Sequence, residues 1–209
     1  HRYMHKSPDQ KLKHYYKWHA KIYDLSRWSF LGGRAKLISQ ISQQLDGIAE
    51  ANVLEIGCGT GFLLRKLSQK HPKTHFTGID LSEHMLEKAS KHISDYPNVQ
   101  LLCDSVLQLD EWDQYDLIYA SYSFSMMQPI LGEVIQKAST LLKKDGTLYI
   151  VDFHRSHASW FEHWMKKNHV FFPKQHESYL NPFFKIDKQS EYPMYANLWQ
   201  YAIIEASKS

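Results

Sequence analysis

Val53-Leu-Glu-Ile-Gly57-Cys-Gly59-Thr-Gly61 is a short apolar run that breaks into three glycines at alternate positions. Residues 52–56 read as a buried strand, and a helical pattern follows over about 61–70. Glycine lets the chain bend tightly and lets backbone approach a ligand closely. The helix start beyond the turn offers N–H groups that have no partner inside the helix. A crevice of this kind, at the carboxyl ends of parallel strands, is where open α/β sheets bind their ligands.

Outward from this turn, the chain alternates strands with helices. Residues 74–80 read as a second strand, and Ser82 is the N-cap of a helix over about 83–94. Residues 98–102 and 115–119 are the third and fourth strands. A helix over 129–142 is expected to stop at Lys143-Lys144-Asp145-Gly146, because a basic last turn and a following glycine are stop signals. Residues 147–152 form the fifth strand, and a helix over about 157–169 comes next. Two tail strands, about 182–187 and 197–205, pair as an antiparallel hairpin at the sheet edge. Upstream, residues 8–45 are amphipathic and helical, interrupted near Leu31-Gly32-Gly33. This alternation predicts a parallel sheet covered on both faces. Residues 1–46 are expected to form a helical cap that contributes to the site, and 47–209 the main domain.

Composition narrows the function. The 209 residues carry 25 basic and 22 acidic side chains, a net charge of +3, which is too mild to argue for nucleic acid as a partner. No apolar run reaches the roughly 18 residues of a transmembrane helix, and the N-terminal residues show no signal-peptide core. Two cysteines without a framework point to a reducing, cytoplasmic setting. His154, His157, His163 and His169 fit no metal-ligand spacing, so no metal is expected. The composition leaves the oligomeric state open. Aromatic residues are abundant at 14 % of the chain, which implies aromatic surface as well as core.

The glycine spacing separates two cofactor classes. A dinucleotide fingerprint needs G-x-G-x-x-G, but the position three after Gly59 is Phe62. The observed G-x-G-x-G resembles the first motif of class I S-adenosylmethionine-dependent methyltransferases. The resemblance covers about 50–155 and includes the Asp145-Gly146 turn before the fifth strand. It implies a Rossmann-like, doubly wound, mostly parallel seven-stranded sheet with N-terminal helices and an antiparallel C-terminal hairpin. It also implies S-adenosylmethionine as cofactor. Gly57, Cys58, Gly59 and Gly61 would then cradle it, with Glu55 near its amino group. Asp80, 23 positions after Gly57, would take the ribose hydroxyls, while Leu81 and Met85 pack on the adenine. Asp104 and Ser105 would meet the adenine amino group, and Ala120 would face the methionine part. Tyr23 and Arg27 would close over the methionine end.

The flanks resemble bacterial lipid-amine methyltransferases, of the diacylglyceryl-homoserine and phosphatidylethanolamine N-methyltransferase type. The stretches that carry this are 14–28, 153–164 and 192–201. The implied acceptor is a lipid or small-molecule amine. An amine must lose its proton before in-line transfer, and Tyr122 and His154, just past the fourth and fifth strands, are the catalytic candidates. Tyr15, Tyr16, Trp18, Tyr195 and Trp199 are candidate aromatic walls for a methylated ammonium. Trp160, Phe161, Trp164 and Met165, followed by Lys166 and Lys167, read either as an interfacial helix on an anionic membrane or as a stripe covering the sheet. The alternatives are a methyltransferase of a soluble small molecule or quinone, and a non-catalytic protein that binds the same cofactor.

Overall fold

The computed structural model describes residues 31–110, 114–172 and 177–209. Their centre is a seven-stranded sheet in the order β3-β2-β1-β4-β5-β7-β6. The strands are β1 (Asn52–Ile56), β2 (His75–Asp80), β3 (Val99–Cys103), β4 (Tyr115–Ser121), β5 (Leu142–Ser156), β6 (Phe184–Met194) and β7 (Trp199–Lys208). The first five pair in parallel, and β7 pairs antiparallel to both β5 and β6. Reversal of the strand order between β1 and β4 opens the crevice in which such sheets hold ligands.

Among the described residues six α-helices accompany the sheet: α1 (Arg34–Leu45), α2 (Phe62–Lys70), α3 (Glu83–His92), α4 (Leu131–Leu141), α5 (Ser159–Lys167) and α6 (Glu177–Leu180). Strand periodicity sorts the core into two layers. Val53, Leu117, Tyr119, Tyr149, Val151 and Phe153 pack in one layer with Leu37 and Ile41 of α1, Leu63 of α2 and Phe161 of α5. Leu54, Ile118, Leu148 and Ile150 pack in the other with Val134 and Ile135 of α4. Helix α1 therefore buries one face in the same core as β1 and β4.

The expected elements form, with instructive differences at their ends. Ser82 caps α3, its Oγ accepting the Met85 N–H at 3.4 Å. Helix α4 does not use the predicted stop signal. It ends at Leu141, and Leu142 is already extended and pairs with Tyr115. Lys143 instead reaches Asp116 at 2.8 Å, and Lys144 to Gly146 lie within β5. Pairing with β4 competed with helix capping and won. Strand β6 runs seven residues beyond its predicted end and includes Pro193, which an edge strand tolerates because one side makes no ladder bonds.

Candidate functional site

The loop from Gly57 to Gly61 is fixed by its own backbone. Gly57 N–H and Cys58 N–H both donate to the Ile79 carbonyl, at 2.9 and 3.1 Å. Gly57, Gly59 and Gly61 all hold positive φ, at 72°, 53° and 71°. Packing around the three differs. A Cβ on Gly57 would lie 2.5 Å from the Ser123 Cβ, and one on Gly61 3.1 Å from the Ala89 Cβ, whereas one on Gly59 would meet nothing within 4 Å. Gly57 and Gly61 are therefore required by the fold. Gly59 keeps a space clear at the mouth of the crevice, and that space fits a cofactor lying on the loop.

Asp80, at the end of β2, bridges to this loop. One carboxylate oxygen accepts the Gly59 N–H at 2.8 Å, and the other accepts the Ser82 N–H at 2.9 Å. Leu81 and Met85 are half-buried beside it. Half-buried Asp104 follows β3 and accepts the Ser105 N–H at 2.7 Å, while buried Ser105 caps the next short turn through Leu107 N–H. Gly57, Gly59, Asp80, Leu81, Met85 and Asp104 thus gather at the carboxyl ends of three adjacent strands.

Two assigned neighbours turn away from the crevice. The Cys58 side chain is buried against Gly78 of β2, and burial pushes its thiol well above the ordinary range. It is a packing residue, and only its backbone belongs to the loop. The Ala120 side chain lies in the α4 layer of the core.

Glu55 is buried within the sheet and accepts the Tyr119 hydroxyl at 3.0 Å. Burial raises its carboxyl to about 8, against the pull of Tyr119 and of the Arg34 cation. The unfolded chain releases this proton near pH 4.5, whereas the folded chain holds it to about 8. Glu55 therefore costs stability as pH rises through that window. Buried Asp152, raised to about 6 by desolvation, acts in the same direction over a narrower range. In thermal melts of the ligand-free protein, Glu55→Gln is expected to match the parent at pH 4.5 and exceed it progressively up to pH 8. A constant offset across that range would show that Glu55 is ionised in the fold.

Tyr122 follows β4 with φ 55°, a strained value for a side chain of its size. Its hydroxyl donates to the Gly32 carbonyl at 2.8 Å, and burial drives the phenol well above its ordinary value. His154 is the extra residue of a bulge in β5, and its Nε2 lies 3.0 Å from Glu191 of β6. Arg155 reaches the other oxygen of the same carboxylate at 3.1 Å. Burial lowers the His154 pKa, with Glu191 opposing. Tyr122 belongs to the α1 layer, whereas His154 is tied to Glu191, which pairs opposite Ala202 of the α4 layer.

Trp199 corrects the expectation of an aromatic wall. It is fully buried, with ring centres 5.0 Å from Phe153 and 6.4 Å from Tyr201, so it is a core residue. Strand β7 pairs with β5 and draws it inside. Tyr195 is 48 % exposed in the β6–β7 turn. Tyr15, Tyr16, Trp18, Tyr23 and Arg27 lie outside the described residues.

Sequence reasoning missed Arg34. The Leu31-Gly32-Gly33 break was its available signal, because a Cβ on Gly33 would sit 2.4 Å from the Tyr201 ring. Only glycine lets the chain pass there, and the next residue is delivered over the end of β4. Arg34 Nε donates to Ser121 Oγ at 3.0 Å.

The comparisons with known proteins agree with this geometry. Residues 53–146 match a family model described as a methyltransferase domain. A malonyl-[acyl-carrier protein] O-methyltransferase of Priestia megaterium is 36 % identical over 144 residues, covering 69 % of this chain and 52 % of that protein. The chain thus spans about half the length of the curated relative it matches. Among solved structures, the Burkholderia thailandensis 1,6-didemethyltoxoflavin-N1-methyltransferase, with S-adenosylhomocysteine bound, superimposes with a TM-score of 0.74 at 14 % identity, covering 99 % of this chain and 93 % of that one. The [4+2]-cyclase SpnF does so with a TM-score of 0.72 at 17 % identity, over 83 % and 80 %. These likenesses carry the fold alone, since one of the two neighbours is named a cyclase. Together with the glycine crevice, they show a class I methyltransferase fold in this chain, within which residues 53–146 match the methyltransferase-domain model.

Proposed function

We propose that the protein transfers a methyl group from S-adenosylmethionine to the amine of a polar lipid headgroup, working at an anionic membrane surface. When bound, the cofactor supplies an electrophilic methyl group. Gly57, Gly59 and Gly61 would hold it through the loop backbone, Asp80 would take the ribose hydroxyls, and Asp104 would meet the adenine. Glu55 would meet its amino group, and Tyr23 and Arg27 would contact its methionine end. Tyr122 positions the acceptor, whereas His154, tied to Glu191 on the other face of the sheet, stays out of the transfer. Residues 1–46 act as the cap of the site.

The observation that carries the lipid assignment is the outer face of α5. Phe161 and Met165 pack inward, which accounts for half of the aromatic stripe. Trp160 and Trp164 point outward, 66 % and 41 % exposed, in line with exposed His163 and Lys167 at helical spacing. Indole rings beside cations on a short surface helix suit the headgroup region of an anionic bilayer. No helix among the described residues is long and apolar enough to cross a membrane, so contact would be peripheral.

A second reading, O-methylation of a carrier-protein-bound malonyl group, is favoured by the name of the Priestia megaterium relative. The deciding experiment supplies labelled S-adenosylmethionine with total bacterial lipid, with malonyl-carrier protein, and with a soluble amine pool. Label is expected in a lipid band. The protein should also float with anionic vesicles, and Trp160→Ser/Trp164→Ser should reduce flotation about tenfold or more. Label confined to the carrier protein or the soluble pool would overturn the lipid assignment. Cofactor binding with no turnover on any acceptor would favour the non-catalytic alternative.

A further inference from the structure

Asp152 is a fully buried carboxyl on an apolar strand face. It follows Leu148 and Ile150 at alternate positions of β5 and pairs opposite Ala202 of β7, and those three neighbours belong to the α4 layer of the core. Its oxygens take backbone amides. Oδ2 accepts the Ser125 N–H at 2.9 Å, and Oδ1 accepts the Phe153 N–H at 2.8 Å. Burial still raises its carboxyl to about 6. A charge in such a place costs stability that a neutral side chain would not. The return lies in the turn after β4.

That turn, residues 122–127, walls the glycine loop. Ser123 Oγ donates to the Ile56 carbonyl at 2.8 Å, on the residue before Gly57. Ser123 Cβ and Met127 Cε face Gly57, 2.5 and 3.6 Å from where a Cβ would lie. The short helical turn Phe124–Met126 is too brief to satisfy its own first amides, so an acceptor from elsewhere must fix it. Asp152 is that acceptor at Ser125, and from the other side the Ser125 carbonyl accepts the Phe171 N–H at 2.9 Å. A chain of contacts therefore runs from Asp152 through Ser125 and Ser123 to the first glycine of the loop.

We propose that Asp152 is a positioning residue for S-adenosylmethionine: by holding the Ser125 amide it seats Ser123 against Ile56 and Gly57, and so fixes the loop on which the cofactor lies. Asp152 does this whichever acceptor is methylated. A cofactor held through loop backbone binds best when that backbone is set before it arrives, because a loop that must first be ordered loses affinity. Buried in the α4 layer, the carboxyl acts through the turn.

The test is a double-mutant cycle on S-adenosylhomocysteine affinity, read by calorimetric titration of the whole chain beside thermal melts without ligand. Asp152→Asn keeps the size of the side chain and removes its charge. It is expected to weaken binding about tenfold while Tm stays within about 3 °C of the parent, because relief of the buried charge offsets the weaker amide contact. Ser123→Ala, which leaves the carboxyl untouched, should weaken binding by a similar factor. The double variant should bind no more than about threefold worse than the weaker single variant, since both substitutions break one linkage. Independent effects would multiply to about a hundredfold, and that result would overturn the inference. A fall in Tm of more than about 8 °C in Asp152→Asn with unchanged affinity would make the carboxyl a support of the fold alone and would overturn it equally. If Asp152→Asn does not melt cooperatively, Ser123→Ala decides: weakening of about tenfold supports the linkage, and binding within about twofold of the parent overturns it.

Discussion

Gly57→Ala is expected to abolish cofactor binding and to lower stability by about 2–4 kcal/mol. The new Cβ would lie 2.5 Å from the Ser123 Cβ, at a φ of 72° that alanine resists. Ser123 has little room to yield, because its own Oγ donates to the Ile56 carbonyl at 2.8 Å within the buried end of β1. Gly59→Ala is the informative contrast. At φ 53° with nothing within 4 Å of its Cβ, it should cost only about 1 kcal/mol in the ligand-free protein. The same methyl group would stand where the cofactor lies, so affinity should fall at least ~30-fold. Urea unfolding and calorimetric titration with S-adenosylhomocysteine, run on both variants, separate the two effects. Unchanged affinity in Gly59→Ala would show that the cradle does not use this face of the loop.

Trp199→Ala should destabilise by about 3–5 kcal/mol, the range for removing a fully buried large aromatic side chain. In a chain of this size that corresponds to a fall in Tm of roughly 10 °C. The loss falls on one junction, since Trp199 packs on Phe153 and Tyr201, and Phe153 in turn contacts Tyr122 with ring centres 4.9 Å apart. Tyr195→Ala, in an exposed turn, should stay within about 0.5 kcal/mol. If Tyr195 is an aromatic wall for the acceptor, its variant raises KM at unchanged Tm. An unchanged Tm in Trp199→Ala would contradict the core role that burial assigns to it.

The alternation of strands and helices was legible in the sequence because periodicity, turn residues and the Ser82 cap are local signals. The three-glycine turn and the acids at the ends of β2 and β3 were legible for a related reason. Close approach of backbone to a ligand demands a specific residue type at a specific spacing. What each glycine is for was not legible. Gly57 and Gly61 are excluded from growing by Ser123 and Ala89, residues 66 and 28 positions away, whereas Gly59 faces open space.

The failures share one cause, which is that pairing partners are not written locally. The Lys143 to Gly146 stretch has the composition of a helix stop, but β4 offers backbone partners and Asp116 a counter-charge, so it becomes strand. Trp199 read as a candidate wall for the acceptor until β7 took its place beside β5. Arg34 drew no attention because a single arginine after two glycines is an ordinary loop signal. Only the packed ring of Tyr201 makes those glycines obligatory and so fixes where Arg34 stands. The sequence by itself determined the order of elements and the chemistry of the loop, since both depend on residues near one another in the chain. The tertiary structure alone decided which aromatic rings are core, which carboxyl burial raises, and where Arg34 stands at the end of β4. Burial and counter-charge are supplied by residues far away in sequence.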